Sequence, residues 1–405
     1  MSSNYFMDHY TLNGDIVLIQ DRGRAQPNGV ATIDANSELP ISQMPDWANS
    51  MHVSRNDPYN MTIKEWVDTL GSDALNNRGK TWTQGTGANT SYSFNCIYCV
   101  NGTWVAGSTS QGLWWSIDGK YWTQGTGNNT SYTFNCVYYA NGLWVAGSSS
   151  NGLWWSIDGK SWTQGTGNNT SYTFNCVYYA NGLWVSGSSS NSLWYSTDGK
   201  SWTKGTGTTS FASYTFNCVY YADGLWVAGS SGNGLWWSVD GEAWTKGTYA
   251  TNYTINCTYY ANGVWVAGTT AQGLWWSIDG KVWFRNSGAS TSYLFGCVYY
   301  ADGIWVAGSI SERGFWWSID GKSWTKGTGA TPLYIYSVYY DNGLWVAVVD
   351  SGLAWSTDGK AWTIGTYSGY SAFKAVYGVD RLWVAGSDGE GVWWSGASVW
   401  LPESA

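Results

Sequence analysis

Charge is scarce in this 405-residue chain: Asp, Glu, Lys and Arg together make up 11% of it. Its polarity comes from Gly, Ser, Thr and Asn instead. Lys and Arg number 19 against 27 Asp and Glu, for a net charge of −8, and the cations are scattered. A phosphate backbone demands clustered Lys and Arg, so no nucleic-acid partner is expected. Histidine is nearly missing: His9 and His52 both lie in the first part of the chain. The rest therefore has no means of building a His-based triad or metal site by itself, and no metal or cofactor is expected. No run approaches the about 18 apolar residues of a transmembrane helix, so membrane insertion is not expected. Met1-Ser2-Ser3-Asn4-Tyr5-Phe6 has neither the basic nor the apolar part of a secretory signal, which points to synthesis in a cytoplasm.

What the chain does have is repetition. Leu153-Trp154-Trp155-Ser156-Ile157-Asp158-Gly159-Lys160-Ser161-Trp162 returns in seven units, and in part in an eighth, at spacings of about 40 residues. A unit of that size cannot bury its apolar face alone, so its neighbours must do so. Within one unit, Tyr121-Trp122-Thr123-Gln124 reads as a short strand, followed by a polar loop. Tyr132 to Tyr139 is aromatic and β-branched, as strands prefer. Asn141-Gly142 is a hairpin signal, because both residue types tolerate positive φ. Leu143 to Gly147 and Leu153 to Ser156 follow, then a tight turn at Asp158-Gly159 into Trp162. Four strands with loops too short for a crossover helix describe a propeller blade.

The array starts at Lys80-Thr81-Trp82-Thr83, a strand after the Asp-Gly turn, and stops at Val392-Trp393-Trp394-Ser395, a strand before it. The two fragments complete one blade, which would pin the ends of a closed ring. The expected fold is therefore all-β, an eight-bladed β-propeller over residues 77–396. A small N-terminal attachment region, 1–76, and a C-terminal tail, 397–405, flank it. All 33 tryptophans except Trp47, Trp66 and Trp400 fall on repeat positions, where blade-to-blade packing accounts for them. Cys96, Cys136, Cys176, Cys218, Cys257 and Cys297 share one position, filled by Ser337 and Ala375 in the other units. A position that accepts Cys, Ser or Ala is a small buried slot, not a disulfide or metal ligand.

Ser156-Ile157-Asp158-Gly159-Lys160-Ser161-Trp162 resembles the Asp-box of sialidase-type β-propellers, with Gly directly after Asp making the turn one residue shorter. Asp118, Asp158, Asp198, Asp240, Asp279, Asp320 and Asp358 hold the Asp place and are assigned a structural turn role, the carboxylate accepting backbone N–H groups. The resemblance implies that these turns face away from any ligand. The loops of the opposite face are polar and are where the units differ, as in Ser149-Ser150-Asn151 against Ser231-Gly232-Asn233. Such variation on a fixed scaffold suggests recognition.

Sialidase catalysis is not expected, because Arg78, Arg285, Arg313 and Arg381 do not make an arginine triad on one face. Glu242, Glu312 and Glu390 lie on different blades, so a carboxylate pair is not evident either. No catalytic residue is assigned, and the chain is not read as an enzyme.

Asn28 to Pro45 resembles a line near the start of bacteriophage tail-fibre and related virion proteins, and Thr62-Ile63-Lys64-Glu65 is a capping box opening a short helix near 62–70. Together the resemblances imply a receptor-binding or adhesion protein of a phage tail or tail tip. It would be made in the host cytoplasm, with residues 1–76 joining other virion proteins and the propeller binding a cell-surface glycan or receptor. A homo-oligomer is compatible with this. Glycan recognition uses aromatic faces with amides and hydroxyls, and the candidate ligand-binding residues are Tyr92, Asn128, Asn129, Tyr132, Asn168, Asn169, Tyr172, Tyr214, Tyr253 and Tyr293. Asn95, Asn135, Asn175, Asn217 and Asn256 are expected to ring the channel mouth. The alternatives are a purely structural virion component, a glycan-cleaving enzyme and a protein-binding ring.

Overall fold

The computed structural model describes residues 11–12, 15–16 and 77–396, except for 88–89, 128–129, 168–169, 208–210, 250–251, 289–291, 312–313, 330–333, 367–371 and 380–381. The chain divides into two compact units, 1–76 and 77–405. In the first, Thr11–Leu12 pairs antiparallel with Asp15–Ile16. The expected helix near 62–70, the stretch 28–45 and the tail 397–405 lie outside the described residues.

The second unit is an eight-bladed β-propeller. Blade 2 shows the plan: Phe134–Ala140 is innermost, then Leu143–Ser148, Leu153–Ser156 and Thr163–Gln164, all antiparallel. The innermost strands of the other blades begin at Phe94, Phe174, Phe216, Ile255, Phe295, Ile335 and Phe373. The Asn141-Gly142 hairpin has φ of 49° and 75°, the left-handed conformation these residues accept most readily.

Eight apolar clusters occupy the eight interfaces between neighbouring blades. Between blades 2 and 3, Leu143, Val145 and Leu153 meet Phe174, Val177, Trp184, Trp194 and Trp202. Each buried indole removes on the order of 150–250 Å² from water, an upper bound of about 4–6 kcal/mol of transfer free energy. The repeated Trp positions are thus the mortar of the ring.

Blade 8 is assembled from both ends of the array: Phe373–Val379, Leu382–Ser387 and Val392–Ser395 accept Thr83–Gln84 as outermost strand. The broken turn is rebuilt across the gap. In an intact turn, Asp118 Oδ1 accepts from Lys120 N at 2.8 Å, Tyr121 N at 2.9 Å and Ser116 Oγ at 2.9 Å. In blade 8 the Asn77 carbonyl accepts from Lys80 N and Thr81 N at 3.0 Å and from Ser395 Oγ at 3.3 Å. A backbone carbonyl there takes the place of the carboxylate. A second closure runs outside, where the linker leaving each blade bridges in parallel to the next blade's outermost strand. Thr166–Gly167 does so on Ser201–Trp202, and Thr366 bridges to Thr81 across the ends.

The cysteine position is a tight slot. A Cβ on Gly147 would sit 2.7 Å from Cys136 Sγ and 2.9 Å from Phe174 Cβ. In blade 7, Ser337 faces Val348 instead, trading volume between the two partners. Burial pushes the thiols of Cys96 and Cys297 up to about 12, so they stay protonated and unreactive.

Two departures from the repeat are compensated by a neighbouring blade. Where blade 7 has Ala354 in place of Trp, blade 6 has Phe315 in place of Leu, and Phe315 stacks on Trp362 with centroids 3.7 Å apart. The second Trp of each pair generally carries a lysine from the next blade: Lys160 lies 4.4 Å above Trp115 and Lys200 4.4 Å above Trp155. Blade 3 has Tyr195 there, and blade 4 answers with Glu242, which hydrogen-bonds the tyrosine hydroxyl.

Candidate functional site

Strand order assigns the connections to two faces. The Asn-Gly hairpins and the Ser-x-Asp-Gly turns lie on one, the loops near 149–152 and 165–173 on the other.

The turn face is built from self-satisfied hairpins. Asp158 Oδ1 accepts from Ser156 Oγ, Lys160 N and Ser161 N at 2.8–2.9 Å, and Trp162 Nε1 donates to the Gly159 carbonyl at 3.2 Å. Partial burial would raise the carboxyl, but hydrogen bonds from the Ser161 and Lys160 amides and the Ser156 hydroxyl outweigh it and hold Asp158 below the usual carboxylate range. Oδ1 is committed to its own turn. The residue before each Asp is the tip, and five tips are apolar and 61–69% exposed: Ile117, Ile157, Val239, Ile278 and Ile319.

On the loop face, a bulge reshapes the start of every innermost strand. In blade 2 the register skips Asn135 between Phe134 and Cys136, which aims its side chain sideways. Asn135 Nδ2 donates to the Phe174 carbonyl of blade 3 at 2.9 Å, and Asn95, Asn175, Asn217 and Asn256 make the same bond to their next blades. These amides therefore clip neighbouring blades together at the loop-face end of the innermost strands. Blades 6, 7 and 8 carry Gly296, Tyr336 and Lys374 at the bulge. Tyr336 is exposed, and Lys374 pairs with Asp388 at 2.9 Å.

The tyrosines Tyr92, Tyr132, Tyr172, Tyr214, Tyr253 and Tyr293 occur one per blade, half-buried, each tilted against the first Trp of its blade's pair at 5.6–5.8 Å. They do not converge on one centre but form a series around the rim. The Tyr132 carbonyl accepts Gly112 N at 2.9 Å, tying the loop of blade 1 to blade 2. Asn128, Asn129, Asn168 and Asn169 lie outside the described residues. Around Tyr172 the surface opens into a cavity of about 450 Å³ lined by Gly167, Tyr172, Trp194, Trp202, Thr203 and Lys204. An aromatic wall, a hydroxyl and a cation suit a polar, ring-shaped ligand.

Two features escaped the sequence reading. The first is Lys204, which sits opposite Trp194 across the strand pair. The second is a closed girdle of eight tyrosines, Tyr98, Tyr138, Tyr178, Tyr220, Tyr259, Tyr299, Tyr339 and Tyr377, whose neighbouring centroids are 4.6–5.1 Å apart. Burial, with the neighbouring phenols, pushes their hydroxyls upward. A signal was available, since this is a Tyr in all eight units whereas the next position varies among Tyr139, Cys99 and Gly378. Among the described residues no cluster of three or more His, Cys, Asp or Glu is arranged to hold a metal ion. No described helix is long and apolar enough to cross a membrane.

No protein-family model and no curated protein sequence matches this chain. Solved structures do. The computationally designed Ika8 protein aligns with TM-score 0.62 and 11% identity, covering 78% of this chain and all of that one. The Dos1 propeller gives 0.61 and 10% over 78% and 95%. Sqt1 of Saccharomyces cerevisiae gives 0.61 and 10% over 79% and 99%. At such identities the likeness concerns the fold alone: the chain is similar to propellers in architecture.

Proposed function

We propose that the propeller is a carbohydrate-binding module and that the chain serves as a receptor-binding or adhesion protein of a phage tail or similar particle. The observation that carries the first part is the series of Tyr–Trp pairs along one face, with a hollow at Tyr172, Trp194, Thr203 and Lys204. In each pair the Trp is buried and the half-buried Tyr is the member at the surface, beside amide, hydroxyl and cationic groups. Six similar pairs allow several weak contacts to act together on one polymer. The particle assignment rests on the resemblance of residues 28–45 to tail-fibre proteins and on the Asp-box resemblance of the turns, which places the ligand on the loop face.

The test is binding of the full chain to a glycan array and to host cells, repeated with Tyr172→Ala. Binding that weakens several-fold without a change in thermal stability is expected. Absence of binding to every glycan and cell surface would overturn the reading. A second reading, a structural ring within a particle, is favoured by the five exposed aliphatic tips of the turn face. It expects loop-face substitutions to leave adsorption unchanged and substitutions at Ile157 and Ile278 to impair assembly.

A further inference from the structure

The position opposite the first Trp of each pair divides the ring into arcs. Gln84, Gln124 and Gln164 occupy it in blades 8, 1 and 2, facing Trp393, Trp114 and Trp154. Lys204, Lys246, Arg285 and Lys326 occupy it in blades 3, 4, 5 and 6, facing Trp194, Trp236, Trp275 and Trp316. Directly opposed side chains lie within contact range, so each cation belongs to the same site as a Tyr–Trp pair. In blade 7 the sequence has Leu333, Ala354 and Ile364 in place of all three members. Blade 8, with Ser371 at the Tyr position, keeps Trp393 and Gln84.

The two chemistries behave differently. The glutamines strap their own loops: Gln124 Nε2 donates to the Gln111 and Thr130 carbonyls at 2.8 and 3.1 Å, and Gln164 Nε2 to those of Asn151 and Thr170 at 2.9 and 3.3 Å. Lys204 Nζ donates to the Ala212 carbonyl at 2.9 Å, which leaves donors of the ammonium over for a ligand. Burial lowers its pKa, the sign of a cation partly withdrawn from water beside the cavity. Arg285 lies over Trp275 with its guanidinium 5.3 Å from the ring and bonds Gln272 Oε1 at 2.7 Å. Among the described residues none of these four cations is ion-paired to a carboxylate. Among the described residues the loop-face carboxylates Asp350, Asp388 and Glu390 belong to blades 7 and 8, and Asp388 is engaged by Lys374 and by Ser93 Oγ at 2.7 Å; Glu312, in the sequence of the blade 6 loop, lies outside the described residues. A chain of net charge −8 thus gathers four cations on one arc of one face.

We infer that the carbohydrate is an anionic, carboxylate-bearing polysaccharide that runs along blades 3 to 6. Each half-buried Tyr, backed by its buried Trp, supports a sugar ring, and the Lys or Arg opposite that Trp meets its carboxylate. The inference rests on the carbohydrate-binding reading above and narrows it.

The experiment uses the full chain and three probes: polygalacturonate, the same polymer after carboxyl reduction, and dextran sulfate. The variant Lys204→Gln/Lys246→Gln/Arg285→Gln/Lys326→Gln introduces the residue that blades 1, 2 and 8 already carry, so the fold is preserved. A melting temperature within a few degrees of the parent's confirms this. Affinity for polygalacturonate is expected to exceed that for the reduced polymer, to fall with added salt, and to drop about 10- to 100-fold in the variant. Equal binding of the reduced polymer, unchanged in the variant, overturns the anionic assignment and leaves carbohydrate binding standing. Dextran sulfate binding as tightly as polygalacturonate overturns the carboxylate assignment in favour of general polyanion attraction. If no polysaccharide binds, on this panel or on the glycan array, both readings fall.

Discussion

Restoring the repeat in blade 7 tests whether Phe315 and Ala354 are one substitution shared by two blades. Elsewhere a Leu of one blade faces the first Trp of the next blade's pair. Here a Phe faces an Ala, and its ring lies 3.7 Å from Trp362 at an interplanar angle of 2°. Phe315→Leu removes part of a buried side chain and is expected to cost about 1–2 kcal/mol, less than a full Phe→Ala truncation. Ala354→Trp forces an indole into a fully buried position. It is expected to cost about 1–3 kcal/mol or more in strain. Made together they recreate the Leu153, Trp194 and Trp202 arrangement, and the double variant should lie close to the parent. The coupling is then about 2–5 kcal/mol, from the upper part of the range found for residues in contact to beyond it. Urea unfolding followed by Trp fluorescence measures it, with calorimetry checking that the ring unfolds as one unit. Additive losses in the double variant would refute the compensation.

Ser395→Ala removes the hydroxyl that receives Gly79 N at 2.7 Å and reaches the Asn77 carbonyl across the ring closure. It should destabilise the propeller by about 1–2 kcal/mol and increase proteolytic release of the N-terminal strand; equal effects from Ser156→Ala would show that closure has no special weight. The seven turn aspartates are held below their ordinary range. Their stabilisation is present above the unfolded value of about 3.9 and is lost as pH falls through the folded values, so acid unfolding should begin near pH 4 and Asp158→Asn should flatten it. The tyrosine girdle works oppositely: its hydroxyls are raised by burial. That stability is full below the unfolded value of about 10 and declines above it. Tyrosinate absorbance at 295 nm from the girdle should appear at higher pH than that of exposed tyrosines, and titration in the ordinary range would contradict the raised phenols.

The blade count, the closure of the ring and the tight cysteine slot were legible because they depend on spacing and on which residue types share a position. Tyr98 and its seven counterparts were not placed, although their recurrence was visible, because the bulge at Asn95 shifts the alternation of the innermost strand. The same bulge makes Asn135 a clip between blades, which its place in the repeat did not show. Lys204 and Arg285 escaped because their meaning depends on the cross-strand register with Trp194 and Trp275. The exchange of Lys for Glu242 opposite Tyr195 likewise needs the contact between blades to be seen.

Carbohydrate recognition by the loop face is tested most directly by comparing two variants of the full chain against the glycans and cells that the parent binds. Tyr172→Ala/Tyr214→Ala/Tyr253→Ala alters the loop face, and Ile157→Ser/Ile278→Ser alters the turn face. The loop-face variant should lose binding while the turn-face variant keeps it, both remaining folded. Loss of binding only in the turn-face variant would contradict the account.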